Sequence, residues 1–312
     1  MPLDRTLIKS GPALLTWQNA KIYFRGGLTI AEEKTTIDLE ADVMSVPDAR
    51  MGDRLVTFSG VPVGAWKDLA VLFALASAPI GTRLHGAADS AATIHFLDGD
   101  LFTYHNAALI NIPDLIFSAV KTLLGEVQFE ARTKKATAAS AANSLFTRTN
   151  TPFTDASFDS AEILTQVYTY NFGAAPWDDI QTADGMKVMG TPVWRDILDD
   201  SAGVIERELT GLSFSSSFTP LGIAQADIDS RLALQNNAAA VRGASMSGIA
   251  EDLIITGPGV FVKQRGGFLR SSSMKAARDA NRHDTHEIVS TLNLLAGTQQ
   301  AGLVVATEDP DA

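Results

Sequence analysis

Residues 54–59 read RLVTFS and residues 212–218 read LSFSSSF, and these two stretches decide the fold. In each of them apolar and polar side chains alternate, with Phe58 and Phe214 at comparable places. A period of two is typical of a β-strand that buries one face and turns the other to solvent. We therefore predict one strand around Phe58 and a second one around Phe214.

The elements predicted after these two strands also agree. An apolar helix over residues 66–76 and a strand pair around the turn at 98–99 follow the first strand. A helix over residues 223–235 and a strand pair around the turn at 257–259 follow the second strand. Such a repeat is typical of chains that build symmetric assemblies. The sequence predicts a mainly β fold, a β-sandwich with flanking helices, made of two tandem units.

The repeat predicts where the units begin and end. The first unit covers residues 1–135 and the second covers residues 161–312, with a connecting segment at 136–160 that is rich in Ala, Ser, Thr and Asn. Within the second unit, residues 177–198 contain glycine and proline, which predict a loop with short strands. The polar tail at 308–312 is predicted to be disordered.

Composition narrows the possible classes of protein. The chain has 312 residues, of which 46% are hydrophobic, so a sizeable core is expected. A net charge of −11 argues against a simple electrostatic DNA-binding protein, which would present a basic face. There is no cysteine, which excludes disulfides and cysteine-ligated zinc. The longest apolar run, residues 69–80, is shorter than the roughly 20 residues that a membrane-spanning helix needs, so no membrane partner is expected.

No motif in the chain predicts catalysis. A nucleophile elbow needs the pattern Gly-x-Ser-x-Gly, and the stretches at 211–215 and 243–247 both lack the last glycine. His283 and His286 lie near acidic residues, but their spacing does not align two imidazoles on one ion as i, i+4 on a helix does. We interpret them as part of a solvated polar loop. We expect a structural protein that is not an enzyme, with no catalytic, cofactor-binding or metal-binding residues and no cofactor.

A charged connection between two strands is predicted at residues 40–54. It is long for a hairpin loop, and long loops in compact domains usually have a function or form an interface. Its mixed charges suit contacts between subunits, because charge complementarity fixes the register of an interface. The candidate subunit-interface residues in this loop are Asp48, Arg50, Asp53 and Arg54.

Part of the chain resembles a known family. The carrying residues are TFSG at 57–60, NAALI at 106–110, Pro113 and GEVQF at 125–129. With the order of strands and helix around them, they resemble the tail tube proteins (major tail proteins) of long-tailed phages. The resemblance implies a β-sandwich flanked by one helix, with a long hairpin-like loop that reaches a neighbouring subunit. The connection at residues 40–54 matches that loop.

The resemblance implies a structural virion protein that forms stacked rings of a tail tube, through which DNA is delivered without specific binding. Members of the family usually have one unit per chain and form hexameric rings, so a chain with two units implies rings of three chains. The implied partners are other copies of the chain and the tail terminator, distal tail and tape-measure proteins. The implied location is the tail of the virion, after assembly in the bacterial host cytoplasm.

Two alternatives stay open at this point. A distal tail or baseplate hub protein uses the same fold in one ring instead of many. A small β-rich hydrolase or a sugar-binding module belongs to a different class, and the absence of a convergent catalytic set argues against it. The sequence does not decide the host, the tail length, or whether the tail contracts.

Overall fold

A computed structural model of the protein describes most of the chain. The described residues are 13–41, 44–84, 91–118, 122–132, 145–154, 168–175, 177–199, 203–221, 227, 250–274, 283–290, 294–295, 298–299 and 302–311. Within residues 34–41 and 44–53 the description covers the backbone.

The described residues form two large antiparallel sheets, which confirms the predicted mainly β fold. The strands are β1 Ala13–Trp17, β2 Ala20–Ala41, β3 Met44–Val63, β4 Ala92–Phe96, β5 Asp100–Tyr104, β6 Ala107–Leu109, β7 Leu115–Phe117, β8 Thr122–Leu124, β9 Val127–Arg132, β10 Phe146–Asn150, β11 Thr169–Phe172, β12 Gln181–Asp199, β13 Gly203–Leu221, β14 Glu251–Gly257, β15 Val260–Met274, β16 His283–Ser290, β17 Leu294–Leu295, β18 Thr298–Gln299 and β19 Leu303–Ala306. The first sheet has the order β10-β5-β4-β1-β2-β3-β9-β6. The second has the order β11-β14-β15-β16-β13-β12-β7-β8, and β19 pairs with β15.

The predicted strand at residues 54–59 lies in β3, an inner strand of the first sheet between β2 and β9. Val56 and Phe58 are buried on the core face, whereas Leu55, Thr57 and Ser59, which alternate with them, are half-buried. Phe58 stacks on Phe129 of β9 with ring centroids 5.1 Å apart, and Trp17 meets Phe129 edge-on at 5.3 Å. The alternating pattern therefore places three large aromatic side chains in one cluster, which anchors β1, β3 and β9 to each other.

The predicted strand at residues 212–218 lies in β13 of the second sheet. Leu212, Phe214, Ser216 and Phe218 are buried, and the residues between them are half-buried or exposed. The buried hydroxyl of Ser216 is hydrogen-bonded to the side chain of Gln264 on β15, so its polar group is satisfied inside the sheet. The two strand pairs predicted around turns are also confirmed, as β4–β5 and β14–β15.

The helix predicted at residues 66–76 is present, but only its first turn is α-helical. Helix α1, Trp66–Leu69, continues directly as a 310 helix, Ala70–Ser77. The predicted apolar stripe is buried, and the indole N–H of Trp66 donates to the carbonyl oxygen of Ala306 on β19 at 2.8 Å. Of the second predicted helix, at residues 223–235, only Asp227 is described, and it is helical; the rest lies outside the described residues.

The prediction of a loop at residues 40–54 is wrong, because nearly all of this stretch is strand. Strands β2 and β3 form one long hairpin, in which Ala41 with Met44 is the outermost described pair. The glycine and proline that suggested a loop, Gly52 and Pro47, lie where the pairing register shifts. A bulge tolerates both residues, since it leaves one residue unpaired in the ladder.

The prediction of a loop with short strands at residues 177–198 is also wrong. Residues 181–199 form the single strand β12, which pairs with β13 in a second long hairpin. Gly185 has a φ of +87° at a register shift, a left-handed conformation that suits glycine. Gly185 and the later glycine and proline of β12 therefore occur within a strand and do not end it.

The C-terminal tail packs on the second sheet, contrary to the predicted disorder at 308–312. The carboxylate of Asp311 accepts hydrogen bonds from Lys263 at 3.1 Å and Arg265 at 2.8 Å. The hydrogen bond from Lys263 is the main cause that holds the pKa of the Asp311 carboxyl below its usual range. The tail is therefore held by charge-assisted hydrogen bonds at the described residues up to 311.

The two sheets share one core. Buried apolar side chains from both of them form a single contiguous cluster. The hairpin β7–β8 comes from the first half of the chain but joins the second sheet, where β7 pairs with β12. In the predicted connecting segment, β10 pairs with β5 of the first sheet. The division into units at 1–135 and 161–312 stays a prediction. Hairpin β7–β8 belongs to the first predicted unit by sequence but lies in the second sheet.

Truncation of a core leucine should test this packing. Leu15 in β1 is fully buried, whereas Leu97 in the β4–β5 turn is 56% exposed. Leu15→Ala should lower the free energy of unfolding by about 2–5 kcal/mol, because it removes buried apolar surface and leaves a cavity. Leu97→Ala, the matched control, should change it by less than about 0.5 kcal/mol. Urea unfolding measures both, and similar small losses would contradict the packing of β1.

Candidate subunit interface

Four strand pairings occur twice in the protein, once in each half of the chain. Pairing of β1 with β4 corresponds to β11 with β14, and β4 with β5 corresponds to β14 with β15. The long hairpin β2–β3 corresponds to β12–β13, and β3 with β9 corresponds to β13 with β16. All of them are antiparallel and follow the same chain order. The two halves thus share their strand connectivity over these elements.

The two long hairpins also have the same register. Ile30 pairs with Phe58 and Val188 with Ser216, and the differences 188 − 30 and 216 − 58 both equal 158. The same difference relates further pairs along the whole hairpin: Tyr23↔Val63 to Gln181↔Leu221, Phe24↔Pro62 to Thr182↔Pro220, Lys34↔Arg54 to Pro192↔Leu212, Thr36↔Met51 to Trp194↔Leu209, and Leu39↔Asp48 to Ile197↔Glu206. This register matches Phe58 with Ser216, so the comparison of Phe58 with Phe214 made from the sequence was wrong by two residues.

The second hairpin is held on one edge by the first half of the chain. Strand β7 pairs with residues 186–188 of β12. The ammonium of Lys187 lies 2.7 Å from the carboxylate of Asp114, which precedes β7. The indole N–H of Trp194 donates to the carbonyl oxygen of Ile110 at 2.8 Å. The segment from 110 to 117 therefore follows the edge of β12 and satisfies its backbone and side-chain donors.

Two glycines in β12 allow this close approach. A Cβ at Gly185 would overlap the carbonyl oxygen of Phe117 in β7. A Cβ at Gly190 would lie 3.0 Å from side-chain atoms of Ile112. Glycine within a strand often marks a place where another backbone comes near, and Gly185 follows that rule. At Gly190 the neighbour is a side chain, that of Ile112.

The opposite edge of the second hairpin is also held by the first half. Residues 81–84 run antiparallel beside residues 207–209 of β13. The N–H of Gly81 donates to Leu209 O at 2.8 Å, and the N–H of Leu209 donates to Thr82 O at 2.9 Å. The second hairpin therefore has a partner from the first half on each edge, at residues 186–188 of β12 and at residues 207–209 of β13.

A buried carboxylate links this hairpin to the first sheet. Glu130 of β9 is 1% exposed, and its carboxylate contacts the guanidinium of Arg132, which is buried beside it. Arg207 of β13 reaches the same carboxylate at 2.6 Å. Arg207 also donates from Nε to Asp196 on β12 at 2.8 Å. A buried carboxylate with two guanidinium partners couples the two sheets, because loss of the carboxylate would leave buried positive charge uncompensated.

The equivalent edge of the first hairpin is open among the described residues. Leu28 and Ile30 occupy the places of the buried Met186 and Val188, yet Leu28 is only half-buried and Ile30 is 37% exposed. Strand β2 pairs with β1 only at residues 20–22, so no described strand pairs with its edge at 28–30. The difference in burial accompanies a difference in pairing, because β7 pairs with the second hairpin at these places and no described strand does so in the first.

The first hairpin also carries the glycine that corresponds to Gly185. Gly27 has a φ of +100°, and its number differs from that of Gly185 by the same 158. Within the described part of the chain, no atom lies within 4 Å of a Cβ placed at Gly27. Gly27 therefore has the same left-handed conformation as Gly185. The space that the Phe117 carbonyl oxygen occupies beside Gly185 is open beside Gly27 among the described residues.

The predicted interface residues lie along β3 and do not form one cluster. Asp48 pairs with Leu39 near the tip of the hairpin, and Arg50 pairs with Ile37. Asp53 lies in the bulge between the pairs Lys34–Arg54 and Thr36–Met51. The structure thus distributes these three residues over the outer part of the hairpin, where their backbone positions are described.

Arg54, the fourth predicted residue, has partners inside the chain. Its guanidinium contacts the carboxylate of Glu32 on β2 and lies over the ring of Phe146 at 5.4 Å from the ring centroid. Tyr104 is buried beside this group, and burial together with the nearby charge of Glu32 raises the pKa of Tyr104 to about 12. Arg54 therefore has its partners inside the chain and lies nearer the base of the hairpin than the other three residues.

The histidines of the polar segment do not form a described metal site. His286 lies in β16, is fully buried and packs against Phe218 with ring centroids 6.0 Å apart, so the interpretation as a solvated loop was wrong for it. Over the described ranges, no group of three or more His, Asp or Glu side chains is placed to hold a metal ion. No helix within those ranges is long and apolar enough to cross a membrane.

Comparison of the sequence with known protein families and with curated proteins finds no significant match.

Sequence analysis missed the residues that hold the second hairpin. Asp114, Glu130, Lys187 and Arg207 are charged residues in ordinary strand contexts, and their partners are far away in the sequence. The one available signal was the pair of glycines in β12, which suggests close backbone approach once the stretch is recognised as a strand.

Neutralising the buried carboxylate should test the link between the sheets. Glu130→Gln keeps the shape of the side chain but leaves Arg132 buried without its countercharge, so the free energy of unfolding should fall by about 3–5 kcal/mol. Glu208→Gln is the matched control, because its partner Arg195 is 65% exposed and such a pair contributes at most about 1 kcal/mol. Urea unfolding of both variants measures the difference. Equal losses would contradict a special role of Glu130.

Proposed function

We propose that this protein is a structural subunit of a phage tail tube, in which rings of three chains stack into a tube that conducts DNA. One observation carries the proposal. The hairpin of the second half is held on both edges by the first half, whereas the matching hairpin of the first half has an open edge at 28–30. If the second half of a neighbouring chain held this open edge, as the first half holds the second hairpin, the contact would repeat head to tail from chain to chain. A head-to-tail contact closes into a ring when its rotation permits closure.

The resemblance to tail tube proteins supplies the expected size of the ring. Rings of that family usually contain six units, so a chain that contains two unit positions would complete a ring with three copies. The covalent connection already provides every second contact, and the remaining contacts would be those between chains. The mainly β fold and the long hairpin β2–β3 agree with this proposal, as does the helix at residues 66–77, which packs against strands of both sheets.

The other partners in the proposal come from the resemblance alone. They are the tail terminator protein at one end of the tube, the distal tail protein at the other end, and the tape-measure protein inside during assembly. The location is the virion tail, formed in the host cytoplasm. The proposed role is structural, without catalysis or a cofactor.

Electron microscopy of the purified protein should show the predicted assembly directly. We expect stacked rings with threefold symmetry and an almost sixfold outline, because the two halves share their strand connectivity. Rings of six whole chains would contradict two ring positions per chain. A single ring that never stacks would favour a distal tail or baseplate hub protein, and a monomer at every concentration would contradict the proposal.

The acidic composition leads to a prediction about DNA. Three chains at −11 each carry a net charge of −33, and an acidic or neutral bore lets phosphates pass without the counterion release that drives binding. Soluble subunits should show no measurable affinity for duplex DNA in a gel-shift assay at low salt, where screening is weakest. Tight binding that weakens steeply with added salt would contradict passage without binding.

A further inference from the structure

We infer that the first hairpin, β2–β3, binds the second half of a neighbouring copy by strand addition at residues 28–30, as β12 binds β7 within the chain. This inference rests on the proposed ring assembly and names the contact that joins its chains. The partner is a second copy of this chain, because the contact to be reproduced already occurs between two halves of one chain.

The first argument is the shared register of the hairpins. A constant difference of 158 relates their pairs from the base almost to the tip, and both hairpins have a bulge on the second strand at the corresponding place. Cross-strand partners point to the same face of a sheet. Ile30 is opposite the buried Phe58, as Val188 is opposite the buried Ser216, so the two apolar side chains have the same orientation relative to their sheets.

The second argument is the state of the two edges. An unpaired strand edge presents backbone N–H and C=O groups that can pair with another strand. In the second hairpin β7 occupies that edge, and Val188 is 1% exposed. In the first hairpin Ile30 is 37% exposed, and among the described strands only β3 pairs with residues 28–30, so their outer edge has no described strand partner. Addition of a strand there would bury Ile30 to the extent seen at Val188.

The third argument is the left-handed glycine beside the edge. Gly185 has a φ of +87° and receives the carbonyl oxygen of Phe117, with no room for a side chain. Gly27 has the same kind of conformation, with a φ of +100°, and open space among the described residues. A chain that enters beside Gly27 as β7 enters beside Gly185 would find the same free backbone surface.

The opposite edge of the first hairpin, on β3, is expected to contact the same neighbouring copy. Residues 49–51 of β3 correspond to residues 207–209 of β13, which pair with residues 81–84. Arg50, one of the residues predicted from the sequence, corresponds to Glu208, which forms a β-bridge with Arg83. Both edges of the first hairpin would thus be held by the neighbouring copy, with residues 28–30 on one side and 49–51 on the other.

Charge at the open edge should block assembly and leave the fold intact. Ile30→Lys places a charge where the incoming strand would bury an apolar side chain. The variant should keep the thermal midpoint of the wild-type monomer within a few degrees and raise the concentration needed for assembly at least about tenfold, measured by light scattering and electron microscopy. Ile30→Val introduces the residue found at the equivalent position and should assemble like the wild type. Leu97→Lys, at another exposed leucine, should also assemble normally.

Cross-linking identifies the chain that contacts residues 28–30, and it does not depend on the stability of Ile30→Lys. The chain has no cysteine, so Thr29→Cys provides a single attachment site for a benzophenone maleimide. Assemblies of mixed light and isotope-labelled chains are irradiated, and the cross-linked peptides are mapped. Cross-links from position 29 should join different chains and fall within residues 161–312 of the second chain. Cross-links to residues 1–135 of the neighbour, or none between chains, would overturn the inference.

The outcomes separate this inference from the proposed function. If the wild type forms no ring, the proposed function fails. If the wild type forms rings and tubes while Ile30→Lys does so equally well, the ring assembly stands and strand addition at residues 28–30 is overturned.

Discussion

Backbone pairing along the edges of two long hairpins is the constraint on which the rest of the structure depends. A two-stranded ribbon satisfies only the backbone groups between its strands, and each outer edge keeps a row of unpaired groups. The second hairpin receives strand partners on both edges from the first half of the chain. The need to pair the edge of β12 explains why β7–β8, from the first half of the chain, lies in the second sheet. The close approach of residues 112–117 to this edge explains the glycines at positions 185 and 190.

Side-chain contacts then fix the position of the second hairpin. The Lys187–Asp114 pair is half-exposed and contributes little to the free energy of unfolding, since water screens it. The group around Glu130 has a different effect, because the charges of Glu130 and Arg132 are removed from water and each depends on the other, while the half-buried Arg207 joins them from β13. Such a group favours one arrangement of the two sheets over others. A precise arrangement within the chain is what a ring of repeated contacts would need.

Sequence reasoning succeeded where burial alternates residue by residue. The strands around Phe58 and Phe214, the buried stripe from Trp66 and both tight strand pairs were predicted, because local patterns determine them. It failed at residues 40–54 and 177–198 of the two hairpins, where glycine, proline and charge suggested loops. A ribbon outside the core needs no apolar alternation, so its strands carry little pattern.

The interface remains a proposal, and sequence reasoning suggested only part of it, for the same reason. The stretch around Arg50 was proposed from its charge and length as a loop, whereas the structure shows it as strand. Arg54 was assigned to the same loop, although its guanidinium lies over the ring of Phe146 inside the chain. The edge at residues 28–30 gave no signal, because it is recognised only by comparison with the register of the second hairpin. Pairing over long sequence distances has no local signature.

Hydrogen exchange of the hairpin amides tests the central claim most directly, namely that the first hairpin is an unfilled equivalent of the second. In the isolated chain, the amides of residues 28–30 that point away from β3 should exchange rapidly, while those of residues 186–188 that point to β7 should be protected. On assembly, protection at 28–30 should rise at least about tenfold, toward that at 186–188. Assembled particles in which residues 28–30 exchange as fast as in the isolated chain would contradict the account.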